Sequence, residues 1–261
     1  MGLVNTIYPT STHNRLEHSI GVFRNCCLYI NALYNDPYNP LFRQLVNVND
    51  IKSLLLASLL HDIGHYPLAH ETEEVLPELK HEVIGNKLLE NTTKDKDGNT
   101  IKNIIENDDW GWGIKTEDIK NILLGQKDEN TLFPKKNLKK KMLSSIIDGP
   151  IDVDKVDFLI RDSKNCHLKY GEIIDFERLL SNLTIIIYTD DNNEINFSVG
   201  CYEKGQTAAE SLTFARYLLY QSLYWHHTVR SIRVCYFKLF TMLIRLIRKK
   251  RNLLLFLILI S

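Results

Sequence analysis

The most regular feature of the chain is an apolar stretch that ends in a cluster of polar residues. Residues 51–60 are apolar except for one lysine and two serines, a pattern that predicts a buried helix. This helix leads directly into His61 and Asp62, after which a glycine and a proline interrupt the helical pattern. His65 and His70 are therefore expected on the turn and on the segment that follows it.

The rest of the chain has mainly helical periodicity, with one change of period. The first helix is predicted over residues 15–34, and its predicted apolar stripe consists of Leu16, Ile20, Phe23, Cys27 and Ile30. Further helices are predicted near residues 48–60, 80–89, 116–124, 142–147, 153–162 and 205–250, the last with one interruption. The β-rich residues on either side of a polar turn at 190–193 predict a β-hairpin over residues 184–199.

Composition and charge place the chain among ordinary globular proteins. Its 261 residues can bury a large core, and 44% of them are hydrophobic and 25% charged. The formal net charge is zero, so no general attraction to nucleic acid or to an anionic membrane is expected. The basic run at residues 134–141 leaves local binding of nucleic acid open, although a solvated helix start is the simpler interpretation.

Cysteine usage and the chain termini predict a cytoplasmic protein. The five cysteines have no CxxC spacing, and the N-terminus has no secretory signal, so reduced thiols are expected. The apolar run at residues 253–260 is too short to cross a bilayer, which needs roughly 20 such residues. It would either dock on a core or partner, or mark a chain that naturally continues beyond Ser261; we favour the second interpretation.

The residues after the buried helix have the chemistry of a metal site. Three histidines and an aspartate lie within residues 61–70, and an ionised aspartate beside apolar residues is costly unless it is paired or metal-bound. A structural polar cluster is the alternative, but this residue set favours a cation. Since adjacent helical residues diverge by roughly 100°, the other ligands must come from other helices.

Two later helices carry candidate functional residues. Residues 152–162 contain four aspartates and a lysine in one short helix, which suggests a site, although an acidic helix cap would also account for part of the pattern. On the last long helix, Arg216, Tyr220 and Tyr224 are spaced four apart and share one face. These side chains suit a phosphate and a sugar, but a polar packed seam fits the spacing equally well.

Three separated segments of the chain together resemble the HD-domain phosphohydrolases. They are Arg15-Leu16-Glu17-His18-Ser19, His61-Asp62 with the following residues 63–70, and residues 152–162 beginning Asp-Val-Asp-Lys. The residues of these segments are most similar to those of the deoxynucleoside triphosphate (dNTP) triphosphohydrolase branch. This branch includes bacterial dGTP triphosphohydrolases and the mammalian SAM-and-HD-domain dNTPase.

The resemblance implies a mainly all-α HD-domain helical bundle with a small β-hairpin. Residues 1–183 would form the metal-binding catalytic core. Residues 184–261 would add the hairpin and a C-terminal helical region, here truncated, that completes the nucleotide pocket within one compact unit. The implied reaction is hydrolysis of dNTPs, most commonly dGTP, to deoxynucleoside and triphosphate. Relatives of this kind are commonly homo-oligomers.

The resemblance also assigns roles to individual residues. The implied ligands of a divalent metal, which would be Mn, Fe, Zn or Mg, are His18, His61, Asp62 and Asp154. The implied catalytic residues are His65, His70, Glu73 and His81. The implied substrate-binding residues are Arg15, Lys155, Asp162, Arg216, Tyr220 and Tyr224.

The chain also departs from the pattern of the family. Phe158 stands where many relatives have a tyrosine, so the contact of that hydroxyl with the substrate would be lost. A glutamine-leucine pair that contacts the sugar in relatives has no counterpart upstream of Met1. Two alternatives therefore stay open, an HD phosphodiesterase or nucleotidase that acts on another phosphate ester, and an inactive nucleotide-binding remnant or sensor.

Overall fold

The computed structural model describes residues 3–90, 94–107, 112–124, 138–191 and 193–249. Within these residues the fold is a helical bundle with one two-stranded antiparallel hairpin, as predicted. The helices are α1 Arg15–Tyr34, α2 Leu41–Leu45, α3 Val48–Leu60, α4 Ala69–Glu73, α5 His81–Leu89, α6 Ile101–Ile105, α7 Thr116–Leu123, α8 Leu138–Ile147, α9 Val153–Asn165, α10 Phe176–Ser181, α11 Gln206–Leu219 and α12 His227–Lys249. The strands are β1 Leu183–Thr189 and β2 Ile195–Cys201.

Helix α1 lies at the centre of the bundle and packs against both α3 and α9. Each of these three helices begins at a side chain that accepts a hydrogen bond from a free backbone N–H group. Asn14 caps α1, Asn47 caps α3 in a reciprocal capping box with Asp50, and Asp152 caps α9. Local sequence therefore fixes where the three central helices begin.

The predicted apolar stripe of α1 is wrong, since Ile30 is buried but Phe23 is only half-buried and Cys27 is exposed. Leu16 and Ile20 are 68% and 54% exposed. The buried residues of the helix are Val22, Asn25, Cys26, Tyr29, Ile30 and Leu33. The buried face begins at the half-buried His18 and includes the polar Asn25. A prediction from apolar residues alone therefore falls on the adjacent face of the helix.

The predicted hairpin is confirmed, with strands that extend slightly beyond the predicted ends. Leu183 pairs with Cys201 at the open end and Thr189 with Ile195 at the turn. The hairpin packs on α8, where the Val199 N–H donates to Ser145 Oγ at 2.9 Å. Of the basic run, residues 134–137 lie outside the described residues, and Lys139 Nζ contacts Asp50 Oδ2 at 2.8 Å.

The C-terminal helical region has the single interruption that the sequence predicts. Helix α11 continues into a π-helical turn over Tyr220–Tyr224, and α12 begins at His227 after a break. Helix α12 returns to pack on α4, where the Thr72 and Tyr236 hydroxyls lie 2.8 Å apart. None of the helices in the described part of the chain is long and apolar enough to cross a membrane, and the apolar run at 253–260 lies outside that part.

Candidate metal centre

The structure brings the four predicted metal ligands together from three helices. His18 lies in the first turn of α1, His61 and Asp62 lie at the end of α3, and Asp154 lies in the first turn of α9. His18 Nε2 is 3.0 Å from Asp154 Oδ1 and 3.8 Å from Asp62 Oδ2. His61 Nε2 is 3.6 Å from Asp62 Oδ1 and 3.7 Å from Asp154 Oδ1. Ligand atoms of His18, His61 and Asp62 thus lie within 4.8 Å of one another, and Asp154 joins them through its contacts with both histidines.

An orphaned nitrogen shows that this set of residues fits a cation. His61 Nδ1 lies 2.8 Å from the Ser58 carbonyl, so Nδ1 carries the proton and Nε2 keeps a lone pair. That Nε2 atom is buried and has no hydrogen-bond partner. An unpaired buried polar atom is costly, and a divalent cation held by nitrogen and carboxylate ligands would remove the cost.

The electrostatics of the centre favour positive charge. Burial opposes the charged form of His18, but Asp154 and Asp157 hydrogen-bond to it and together raise its pKa to about 9. Burial opposes ionisation of Asp154, yet the contact with His18 at 3.0 Å and the nearby imidazole of His61 hold the pKa of that carboxyl far below its usual range. Asp62 is likewise buried, and His65, His61 and Arg15 lower its pKa. The carboxylates therefore stay ionised and attract either protons or a cation.

His18 is held in place from behind by a residue that the sequence analysis did not single out. His18 Nδ1 lies 2.8 Å from Asp157 Oδ2, and Arg161 binds the same carboxylate through Nε and one terminal nitrogen, both at 2.8 Å. Gly21 of α1 faces this pair, and a Cβ atom there would overlap Asp157 and Arg161. The i,i+4 spacing of Asp157 and Arg161 was the available sequence signal.

Three further histidines form a second cluster beside the centre. His65 and His81 stack with ring centroids 3.7 Å apart, and His65 Nε2 lies 3.4 Å from His70 Nε2. Glu73 Oε1 is 2.7 Å from His81 Nδ1, and Glu73 Oε2 is 3.6 Å from His70 Nδ1. The predicted catalytic residues therefore lie side by side, with one carboxylate behind two imidazoles.

One glycine, Gly64, allows this cluster to form. A Cβ atom on Gly64 would overlap the backbone of His81 and Gly85, so the turn after α3 and helix α5 touch backbone to backbone. This contact places His81 against His65. The glycine at 64, which the sequence analysis treated only as a helix breaker, is also required by packing.

His18, Asp62 and Asp154 of the centre and all of the second cluster line a cavity of about 790 Å³. Asp162 also lines the cavity and is held by His13 Nε2 at 2.7 Å and by the Tyr224 hydroxyl. Phe158 and Tyr220 lie against Tyr224, with ring centroids 6.4 and 5.0 Å away. Three arginines also line the cavity: Arg15, Arg161 and Arg233. The cavity therefore joins a candidate metal centre to cationic and aromatic walls.

Two predicted substrate-binding residues do not line this cavity. Lys155 Nζ donates to the Gly149 carbonyl at 2.8 Å and pairs with Asp152. Arg216 is exposed, and its guanidinium lies over the Tyr220 ring at 5.5 Å from the centroid. Contact of either residue with a substrate stays a prediction, and it would require a movement of the side chain.

Arg233 and His13 are cavity residues that the sequence analysis missed. Arg233 projects from α12 and pairs with Glu74, while its Nε atom is buried without a hydrogen-bond partner. His13 precedes the first helix in a turn-rich stretch. Neither belongs to a recognisable motif, because each reaches the cavity only through the packing of distant segments.

Comparison with known proteins agrees with this geometry. The family model described as "HD domain" matches residues 15–148. An uncharacterized protein of Methanocaldococcus jannaschii is 31% identical over 88% of this chain and 39% of its own length. A deoxynucleoside triphosphate triphosphohydrolase SAMHD1 homolog of Dictyostelium discoideum is 28% identical over 89% of this chain and 40% of its own length.

Similarity extends to a solved structure. A hypothetical protein from Aquifex aeolicus has 28% sequence identity and a TM-score of 0.67, over 94% of this chain and 56% of its own. The chain thus spans less than half the length of the two curated relatives described above and little more than half of the solved one. The family match covers more than half of the chain and contains the turn with His61 and Asp62. The chain therefore belongs to the HD-domain family of metal-dependent phosphohydrolases.

Proposed function

We propose that this chain hydrolyses dNTPs to a deoxynucleoside and triphosphate. The observation that carries the proposal is a cavity that is lined by three of the four predicted metal ligands, His18, Asp62 and Asp154, and also by arginines, a buried aspartate and tyrosines. The cavity volume of about 790 Å³ lies in the range typical of small-ligand sites. The similarity to a dNTP triphosphohydrolase homolog gives independent support.

The cationic groups of the cavity suit a polyphosphate. Arg15 lies beside the centre, with its terminal nitrogen 2.5 Å from Asp62 Oδ2, and Arg161 and Arg233 line other parts of the wall. Guanidinium groups bind phosphate oxygens with paired, charge-assisted hydrogen bonds. Six carboxylates also line the cavity, so attraction of a polyphosphate would depend on these arginines together with a bound cation.

The part of the cavity around Asp162 and the aromatic rings suits a deoxyribose and a base. Asp162 is buried and could accept a hydrogen bond from a sugar hydroxyl while Tyr224 and His13 hold it. The Tyr220 ring lies against Tyr224 and against the exposed Trp225, and these rings offer faces for stacking. A sugar would then lie between the base and the phosphate chain.

The reaction requires attack of water on the α-phosphorus and cleavage of its bond to the 5′ oxygen. A cation bound at His18, His61, Asp62 and Asp154 would polarise a phosphoryl oxygen and lower the pKa of water. His70 is 63% exposed to the cavity and solvent and lies near Glu73, so it would donate a proton to the leaving 5′ oxygen. His65, His81 and Arg15 would hold the phosphate chain in place.

A product analysis with purified protein tests the proposal. The chain would be incubated with each dNTP and Mn²⁺ or Mg²⁺, and we expect deoxynucleoside and inorganic triphosphate. Monophosphate with pyrophosphate, or no product from any dNTP, would contradict the proposal. Thermal stabilisation by dNTPs without hydrolysis would instead favour a nucleotide sensor, and hydrolysis of other phosphate esters alone would favour a phosphodiesterase or nucleotidase.

A matched pair of variants ties the activity to the centre. Asp62→Ala removes a carboxylate ligand and should abolish metal binding and hydrolysis together. Asp118→Asn removes an exposed acidic residue in the first turn of α7 and should leave both unchanged. Full activity in the Asp62→Ala protein would be fatal to the assignment.

A further inference from the structure

We propose that the outward face of α12 binds the surface of an anionic membrane. The inward face of this helix packs on the α4 region, where Tyr236 lies against Thr72 and Arg233 pairs with Glu74. The inference concerns the opposite face. It therefore goes beyond the proposed function and does not depend on which phosphate ester the chain hydrolyses.

Helix α12 is much longer than the element that supports it. Its 23 residues span about 34 Å, whereas the five residues of α4 span about 7–8 Å. Arg233 and Tyr236, which contact the α4 region, both lie in the N-terminal half of α12. Helix α4 can therefore cover only a part of α12.

An apolar stripe runs along the outward face. Cys235, Leu239, Met242 and Leu246 are spaced four, three and four residues apart, which places them on one side of the helix. Cys235 is exposed, and the other three side chains are 68%, 60% and 56% exposed. Leu243, at the edge of this stripe, is also exposed. Single exposed apolar residues are normal on a protein surface, but a continuous row of them indicates a binding surface.

The charge of α12 indicates what kind of partner this stripe has. The helix contains six lysines and arginines and no aspartate or glutamate. Lys238 and Arg245 are exposed and, seven residues apart, share one edge beside the stripe. A second copy of α12 has no acidic residue to meet these groups. An anionic membrane offers acyl chains to the stripe and negative headgroups to the basic edge, so it matches both features.

The zero net charge of the whole chain does not oppose this binding. Attraction to a charged membrane acts within a Debye length, about 10 Å at ordinary ionic strength, so the charges next to the surface decide it. In the sequence, Lys250 and Arg251 follow α12 directly and add two more positive charges. Because only one face of α12 is apolar and exposed, the helix would lie in the plane of the membrane surface rather than cross it.

Vesicle sedimentation tests the proposal without any substrate. The purified chain would be mixed with vesicles of phosphatidylcholine alone, or with vesicles of equal parts phosphatidylcholine and phosphatidylserine. We expect the chain to sediment only with the second kind, and less of it as salt is added. Lys238→Gln combined with Arg245→Gln should lower the partition coefficient about 30-fold, roughly fivefold for each charge. Leu239→Gln combined with Met242→Gln should lower it roughly 100-fold, about tenfold for each apolar side chain withdrawn from lipid.

Matched controls alter the same residue types elsewhere on the surface. Val48→Gln replaces a valine of α3 that is 67% exposed, and Lys96→Gln combined with Lys102→Gln removes two exposed lysines. Both control proteins should bind vesicles like the unchanged chain. All the replaced side chains are exposed, so every variant should fold, and circular dichroism would check this.

The other occupants of this face are outcomes of the same test. Equal binding to both kinds of vesicle, binding to neither, or binding that the α12 variants leave unchanged would overturn the proposal. Self-association that Leu239→Gln with Met242→Gln abolishes, without any vesicle binding, would overturn it in favour of a second copy of the chain. Selective vesicle binding by a chain that hydrolyses no dNTP would support this surface and contradict only the proposed function.

Discussion

His18 of α1 and Asp157 of α9 meet across the helix interface, with His18 Nδ1 and Asp157 Oδ2 only 2.8 Å apart. The opposite nitrogen of the same ring, Nε2, lies 3.0 Å from Asp154 Oδ1 within the candidate metal centre. Asp157 thereby fixes both the tautomer and the orientation of a predicted metal ligand. Arg161 in turn fixes Asp157 through two hydrogen bonds.

Replacement of Asp157 by asparagine should weaken metal binding without removing a ligand. Loss of a carboxylate behind a metal-bound histidine typically lowers metal affinity by about 10- to 100-fold. We therefore expect a higher dissociation constant for Mn²⁺, measured by calorimetry, with activity largely restored at saturating Mn²⁺. Unchanged affinity in Asp157→Asn would show that Asp157 serves packing alone.

The chelated protein should lose stability as the pH rises from neutral to alkaline. In the metal-free fold the pKa of His18 is raised from 6.5 to about 9, so the folded chain binds this proton more tightly than the unfolded chain. The stabilisation is complete below pH 6.5 and disappears as the pH rises through 9, a change on the order of 3 kcal/mol. Thermal unfolding in EDTA between pH 6 and 10 should show this decline.

A His18 variant provides the control for this pH dependence. His18→Asn removes the titrating group, so its unfolding temperature should vary much less over the same pH range. A parallel decline in both proteins would assign the effect to other groups. Saturating metal should also flatten the profile of the unchanged protein, since a metal-bound imidazole no longer takes up the proton.

Phe158→Tyr should improve nucleotide binding. Phe158 lines the cavity beside Tyr224, so a hydroxyl added to its ring would project into the space proposed for the substrate. One new hydrogen bond contributes about 0.5–1.5 kcal/mol, equivalent to a roughly 2- to 10-fold lower KM for the preferred dNTP. Steady-state kinetics would measure this. A raised KM would indicate that the substrate lies elsewhere in the cavity.

Arg233→Ala should raise the KM for a triphosphate substrate and leave metal content unchanged. Arg233 lines the cavity from α12 and is not part of the candidate centre. Loss of a charge-assisted hydrogen bond costs about 1.5–3 kcal/mol, or roughly 10- to 100-fold in kcat/KM. Arg230→Ala, at an exposed position one turn earlier, should behave like the unchanged protein. Equal kinetics for both variants would exclude Arg233 from substrate binding.

Much of the local structure follows from the sequence. The first helix begins at Arg15 and ends at Tyr34, as its cap and its proline-containing C-terminal turn predict. The hairpin is where the strand-like segments and the polar turn place it. Caps, turns and periodicity act between residues a few positions apart, so a short window of sequence contains the interactions that determine these elements.

The buried face of α1 could not be predicted from caps, turns and periodicity. An apolar stripe through Leu16 and Ile20 is a reasonable prediction from composition, but the structure turns that face to solvent. The inward face begins at His18 and includes Asn25, since it serves a polar site as well as the core. Polar functional groups that are buried break the rule on which hydrophobic patterns depend.

Within α9, four aspartates of one short segment have four different environments. Asp152 caps the helix, Asp154 joins the candidate centre, Asp157 holds His18, and Asp162 binds His13 and Tyr224. The sequence determined that these carboxylates lie on one helix. It also determined that histidines occur before and directly after the buried helix α3. Only the tertiary structure decided which carboxylate meets which histidine, because hydrogen bonds between residues more than 100 positions apart depend on how whole helices pack.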